Sequence, residues 1–551
     1  MVSLLSFIVL LSIVVFVHEW GHFITGRLLG IGVERFAIGF GPAIFKKTRN
    51  GVEYRLNWIP FGGYVKFVGD EPGQPVPEEL RSTAFNTAPV YKRAATAFAG
   101  PFMNLVLAFV LFCIIFFAGY QVPAAYLADI TMGSPAEEAG LLPGDQVVAI
   151  DGRPTQFWDD LDDAVAKSIG RTLTLTVERD GERLDIPVTP KSNVAMNLFG
   201  FDEERGIIGI SRHGNRAWIG VSDPTSPAAQ AGLQTGDLVL SINDRPIVFF
   251  KDLDRLLGQL NGQPLKIAVA RGAENVLSLE PTVSFVAEIT PEPEHPYTSI
   301  YELGMAVGEL FIHEVTADSP AAKAGFQVND RIVKINGEEI YMWNEFTAFV
   351  RENPEKPITV TVLRDSGEVE INATPEKVSS RDILGNVSEH GYLGLSPLLQ
   401  YTAPKMITER YYNPIKIVQR GWQESWRWTV VTIKGFYFLI IGKAPAKSLG
   451  GPIFIAQLAG QSARLGWVPF LFFMAVISLN LAFINLAPVP ILDGGHLLLL
   501  SIEGIRRKPI SDRAIGIAQR IGLTLLGALI LLVFYNDLSR VWFDIKDHFL
   551  Q

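Results

Sequence analysis

Four long apolar runs constrain this chain more than any other feature, because a stretch of roughly 20 apolar residues has few stable environments other than a lipid bilayer. The first runs from Met1 to Val17, interrupted only by Ser3, Ser6 and Ser12, and gains membrane length from the turns that follow. Its first positive charge is Arg27 and no small-residue cleavage site follows, so it reads as a retained helix and not as a signal peptide. Ala97 to Tyr120, Trp467 to Leu486 and Ile521 to Tyr535 are the other runs. A further segment, Trp422 to Ile441, contains Glu424, Arg427 and Lys434 behind a cluster of tryptophans, which predicts an interfacial or re-entrant helix.

Charge orients these spans. Between the first two lie ten Lys and Arg residues, including Arg27, Lys46, Lys47, Arg49, Lys92 and Arg93, which predicts a cytoplasmic loop. The amino terminus and the segment from about 121 to 400 are then expected outside, and Arg506, Arg507, Lys508, Arg513 and Arg520 mark a second cytoplasmic loop. The net charge of −9 and the lack of a basic run interleaved with aromatics argue against nucleic acid as a partner. With one cysteine, Cys113, the chain builds neither a disulfide framework nor a Cys-based metal site.

The long segment between the second and third runs contains an internal repeat. SPAEEAGLLPGDQVVAIDGRP begins at Ser134, SPAAQAGLQTGDLVLSINDRP at Ser226 and SPAAKAGFQVNDRIVKINGEE at Ser319. In each, the serine precedes Asp151, Asn243 or Asn336 by the same 17 positions. The local pattern is a short helix stopped by Gly140, Gly232 or Gly325, a turn, and an alternating strand. It resembles PDZ domains of the bacterial protease-associated kind. On that resemblance the peptide-terminus loops match Ile208-Gly209-Ile210, Leu303-Gly304-Met305 and Leu393-Gly394-Leu395, and such domains bind extended peptides by strand addition. Spacers that never close on a ligand would carry the same fold.

The first apolar run ends in His18-Glu19-Trp20-Gly21-His22. On a helix both imidazoles reach one zinc ion, and Glu19 is available to take a proton from water. Ionisable groups inside a membrane are costly and default to function, which weighs against a packed histidine pair with no metal. Gly21 costs helix propensity there and would allow another backbone to pack close. A catalytic zinc needs a third protein ligand, and NLAPVPILDGGH supplies Asp493 directly after the third run, with His496 as a rival. A turn-forming Asp-Gly-Gly favours Asp493. For Asp493 to reach the face that carries the histidines, the segment Trp422 to Ile441 must not add a crossing.

Taken together these residues resemble the site-2 protease family of intramembrane zinc metalloproteases. The match runs in order through HEWGH, GFGP, IPFGGYVKF, AGPFMN, the repeats, LGGPI and NLAPVPILDGGH. It departs from the family in one respect, since relatives of this type usually carry two PDZ repeats and this chain has three. The resemblance implies Zn2+ as cofactor, His18, His22 and Asp493 as its ligands and Glu19 as general base. It implies that Asn485, Pro488 and Pro490 contact substrate and that Asn480 faces the site, although NLAPVP would also simply end a helix. Tyr54 to Val68 reads as a short hairpin around a Gly62-Gly63 turn that dips toward the membrane and pairs with unwound substrate; a plain soluble ribbon is the other reading. Gly39 and Gly41 in GFGP allow a tight loop beside it. A bacterial inner membrane, single-span substrates such as a trimmed anti-sigma factor, and remnant signal peptides are implied likewise.

The expected architecture is a multi-pass α-helical membrane protein with four spans, an interfacial helix, a short membrane-associated β-hairpin and three extracytoplasmic α+β PDZ-like domains. Its boundaries are 1–120 for the first half of the membrane core with a cytoplasmic loop at 24–96, then 121–213, 214–308 and 309–400 for the repeats, 401–466 for a linker with the amphipathic helix, and 467–551 for the second half. A non-catalytic membrane scaffold built on the PDZ repeats, or a soluble zincin with membrane anchors, would share parts of this pattern.

Overall fold

The computed structural model describes residues 2–70, 76–131, 133–196, 202–221, 223–260, 262–272, 281–291, 297, 299–340, 343–364, 367–381, 387–397, 404–442 and 449–550. The expected boundary at 400/401 lies outside them. Two compact units result: Met1–Gln121 with Thr408–Gln551, and Val122–Ile383 with Val387–Ile407.

The first unit holds the helices α1 (Val2–Leu28) and α2 (Val90–Ala118), joined by the strands β1 (Val33–Arg49) and β2 (Val52–Phe67). In the second unit the repeats contribute α3 (Pro135–Glu138) to α8 (Trp343–Glu352), two helices each. The first unit resumes with α9 (Pro414–Ile440), α10 (Pro452–Leu465), α11 (Trp467–Leu486), α12 (Asp493–Arg506) and α13 (Asp512–Leu550). Among the described residues four helical segments are long and apolar enough to cross a membrane: α1, α2, α11 and Arg513–Arg540 within α13.

The core of the first unit joins Phe7, Leu10 and Val14 of α1 to Leu111, Phe112 and Ile115 of α2 and to Met474, Ala475 and Leu479 of α11. Glycine brings the first two helices together, since a Cβ on Gly21 would stand 2.4 Å from the carbonyl oxygen of Ala99. α9 starts eight residues before the expected Trp422 and packs along its neighbours. Gly421 fits against Cys113 of α2, and Thr432 Oγ1 donates to Asn480 Oδ1 of α11 at 2.9 Å. Asn480 lies thirteen residues into α11, about 20 Å along it, and Trp428 of α9 meets Phe472 nearer its start. The expected linker also contains α10, which rests on α1 where Gly460 meets Ser3. Asp537 of α13 accepts from the backbone N–H groups of Gly451, Ile453 and Phe454 and so caps the start of α10.

The expected hairpin takes another form. The turn falls at Asn50-Gly51, both at positive φ, and β2 continues through Gly62-Gly63. β1 folds along β2 so that Phe36 is partnered by Val65 on one side and Tyr54 on the other. Gly39 and Gly62 stand at the bends: a Cβ on Gly39 would meet the carbonyl oxygen of Ile59 at 2.4 Å, and one on Gly62 would meet the Phe40 ring at 2.3 Å. A glycine pair thus marks close backbone approach within a strand, which in sequence looks the same as a turn.

Each repeat in the second unit has a core of its own, around Leu161 and Val177 in the first, Leu253 and Val269 in the second and Phe346 and Val362 in the third. Ser134, Ser226 and Ser319 each cap a short helix by accepting the backbone N–H three residues on, with proline at the first helical position. Asp151, Asn243 and Asn336 have φ of 48°, 49° and 48°, and the Oδ1 of each accepts the N–H of Thr174, Lys266 or Thr359. Only Asp or Asn combines tolerance of that backbone with a short acceptor. A second shared device was not evident in the sequence. Arg179, Arg271 and Arg364 each donate through Nε and Nη2 to a buried aspartate, Asp145, Asp237 or Asp330, with all six bonds at 2.7 Å.

Candidate metal centre

α1 carries His18 and His22 one turn apart, and both side chains are buried where α2 crosses α1. Gly100 makes that crossing possible, because a Cβ there would lie 2.2 Å from His22 Nε2 and 2.9 Å from the His18 ring. The carbonyl oxygen of Thr96 accepts from His22 Nδ1 at 2.8 Å, which leaves Nε2 as the nitrogen with a free lone pair. His18 Nδ1 lies 3.3 Å from the Asn104 amide, whose Oδ1 otherwise has no partner. A half-turn of that amide gives the His18 Nδ1–H its acceptor and again frees Nε2.

Asp493 completes the cluster. Its Oδ2 is 3.2 Å from His18 Nε2 and its Oδ1 is 3.4 Å from His22 Nε2. The donor atoms of the three residues lie within 4.8 Å of one another. Two imidazole nitrogens and a carboxylate, brought together among the described residues, form a donor set that suits a catalytic zinc with one position left open.

Asp493 reaches its place in an unexpected way. The Asp-Gly-Gly segment is the first turn of α12 and not a loop. A Cβ on Gly494 would stand 2.2 Å from the carbonyl oxygen of Leu486, and one on Gly495 the same distance from that of Val489. The glycines therefore let α12 press against the end of α11. Pro488 and Pro490 shape the reversal between these helices, and Gly522 of α13 packs beside Pro490 and Ile491. Arg93 of α2 grips Glu503 of α12 through both carboxylate oxygens, at 2.5 and 3.3 Å.

Of the other expected site residues, Asn485 is brought in, with Nδ2 3.4 Å from His18 Nε2. Asn480, further back on α11, accepts from Thr432 through its amide oxygen. His496 is exposed and outside the donor cluster. Glu19 is half-buried beside the last part of β2: its Cγ is 3.1 Å from where a Gly63 Cβ would be. Gly39, Gly41 and Gly62 shape the ribbon without touching this cluster. Thr96, Gly100, Asn104 and Arg93 escaped sequence reasoning. Only AGPFMN, which holds Gly100 and Asn104, gave any signal.

A family model for peptidase family M50 matches residues 6–529. The chain belongs to this family. The M50 peptidase is 33% identical over 540 residues to the regulator of sigma-E protease RseP of Salmonella typhimurium, covering 98% of this chain and 99% of that protein. It is 32% identical, with the same coverage, to the regulator of sigma-E protease RseP of Escherichia coli. A Pasteurella multocida relative whose name places it among zinc metalloproteases is 30% identical over 540 residues, 98% of this chain and 99% of its own length. The M50 peptidase is accordingly a zinc metalloprotease with membrane-spanning helices, and the scaffold reading is set aside.

Proposed function

We propose that this M50 peptidase cleaves single-span membrane proteins within or beside the bilayer, at a zinc held by His18, His22 and Asp493. The observation that carries this reading is the convergence of those three donors from two apolar-flanked helices of opposite ends of the chain. Zinc in such a site acidifies water and polarises a carbonyl oxygen.

The remaining chemistry belongs to the chain. Glu19 adjoins His18 on the helix and takes the proton of the attacking water, then returns it to the leaving amine. Thr96 and Asn104 hold the two imidazoles in one tautomer and orientation. Asn485, with its amide near the His18 nitrogen, donates to the substrate carbonyl as negative charge builds on the oxygen. A helical substrate hides its peptide bonds in internal hydrogen bonds and must unwind, which in lipid costs several kcal/mol for each unpaired group. The end of β2, from Gly63 to Phe67, borders Glu19 and offers backbone partners to the unwound segment by strand addition.

The relatives named regulator of sigma-E protease support a trimmed anti-sigma factor as one substrate. Remnant signal peptides, also single spans, are a second class. In this reading the metal centre lies toward the cytoplasmic face of a bacterial inner membrane, and the repeats lie on the other side, where they read the ends of trimmed substrates. The test compares wild type with Glu19→Gln on a single-span substrate. Zinc content should be equal and the variant's cleavage roughly 100-fold to 10,000-fold slower; equal cleavage by the two proteins overturns the proposal.

A further inference from the structure

The proposed zinc ligands belong to two helices, and a single turn of a third helix is bonded to both. That turn lies at the start of α2. Lys92 Nζ donates to the carbonyl oxygen of Leu29, just past the end of α1, at 2.8 Å. Arg93 Nε donates to the Ala88 carbonyl at 2.9 Å, while Nη1 and Nη2 reach the two carboxylate oxygens of Glu503 on α12 at 3.3 and 2.5 Å. Thr96 Oγ1 donates to the Lys92 carbonyl at 2.9 Å, and the Thr96 carbonyl in turn accepts from His22 Nδ1. The stretch from Lys92 to Thr96 therefore holds the tail of α1, the body of α12 and one imidazole.

α12 has little else to hold it. Its first turn is wedged against the backbone of Leu486 and Val489 through Gly494 and Gly495, but Leu498, Ile502 and Ile505 beyond it are exposed. Apart from the contacts of Asp493 itself, the Arg93–Glu503 pair is, among the described residues, the only side-chain hydrogen bond or ion pair that joins α12 to another helix. Asp493 and Glu503 stand ten residues apart, about 15 Å along the helix. A helix fixed only at its first turn pivots there; a second fixed point that far away removes the pivot. The pair suits this task, because its side chains are only 13% and 16% exposed, so the two-pronged, charge-assisted contact is little screened by water.

We infer that Arg93 is a positioning residue for metal ligation: through Glu503 it sets the angle at which α12 presents the Asp493 carboxylate to His18 and His22. The inference rests on the reading of Asp493 as a zinc ligand. Arg93 gives the metal no donor, and its action is on donor geometry alone. The three donor atoms lie within 4.8 Å of one another, and ligand bonds to zinc are about 2.0 to 2.2 Å long. A tilt of α12 that carries the carboxylate about 1 Å away is then enough to loosen the site.

The test measures zinc affinity of the full chain in detergent, by competition with a graded chelator, for wild type, Arg93→Met, Glu503→Met and the double variant. Each single substitution should weaken zinc binding about tenfold to hundredfold, the range for groups that orient a ligand. The double variant should be no weaker than either single, because the two residues act as one and no buried charge is left alone. Cobalt(II) loaded in place of zinc should show an altered visible spectrum in the same variants, which reports ligand geometry and not general stability. Arg93→Lys keeps the charge without the fork; it should fall between wild type and Arg93→Met, and it carries the test if the methionine variants do not fold. Wild-type affinity and cobalt spectrum in Arg93→Met, or in Arg93→Lys where the methionine variants fail to fold, overturn the inference, as do losses that multiply in the double variant. Asp493→Ala should bind zinc more weakly than any of these. Undiminished zinc in Asp493→Ala overturns the ligand set itself, so the two failures are told apart.

Discussion

The absence of a side chain matters at this metal centre as much as the presence of donors. Gly100 has no polar atom to offer, yet it fixes how near α2 comes to the imidazoles. A Gly100→Ala methyl would occupy the space of His22 Nε2, and the ring cannot retreat while Nδ1 is bonded to Thr96. We expect this substitution to weaken zinc binding by at least about tenfold, measured by metal analysis after dialysis against a graded chelator. His496→Ala, outside the donor cluster, serves as the control and should keep its zinc.

Elements show where sequence patterning succeeds and where it stops. Apolar length alone locates α1, α2, α11 and the middle of α13, and the repeat spacing locates the short helices and the strands after them. The true turn at Asn50-Gly51 and the helical start of α12 are hidden, because glycine that relieves a close contact cannot be told from glycine that makes a turn. α10 is hidden because a short helix capped from another helix, by Asp537, leaves no local signal. Asp493 was legible as a ligand candidate; the groups that orient the histidines were not, since they lie on α2, more than 70 residues further along the chain.

The shared clasp of the repeats gives a prediction at the same scale. Asp330 is buried against the guanidinium of Arg364, so Asp330→Ala should destabilise the third repeat by about 3 kcal/mol, seen as earlier urea unfolding or proteolysis there, with zinc content unchanged. A pH effect should separate the first repeat from the others. The Thr174 N–H first, and Arg171 next, hold the Asp151 carboxyl below the usual carboxylate range. A group with a lowered folded pKa contributes stability above its unfolded pKa and loses it as pH falls through the folded value. Acidification below about pH 4 should therefore loosen the Thr174 amide in hydrogen exchange. Asp151→Asn should remove that dependence, because Asn243 and Asn336 make the same bond without titrating.

For the whole molecule, the separation of cores carries the consequence. Each repeat has its own hydrophobic centre and the helical unit has another. Stripping zinc with a chelator should abolish cleavage and raise hydrogen exchange around His18, His22 and Asp493, while the repeats keep their protection; zinc should restore both. Loss of protection in the repeats would mean that their stability depends on the metal.

The donors of the cluster also have an order in time. His18 and His22 are translated before Asp493, which follows 471 positions after His22. A nascent chain already inserted in the membrane holds only two of the three donors until the start of α12 is synthesised and docks under Arg93. On the proposed ligand set, the growing polypeptide is expected to be a poor metal binder until then. Catalytic potential, on the same ligand set, arrives only when α12, which carries Asp493, has joined α1.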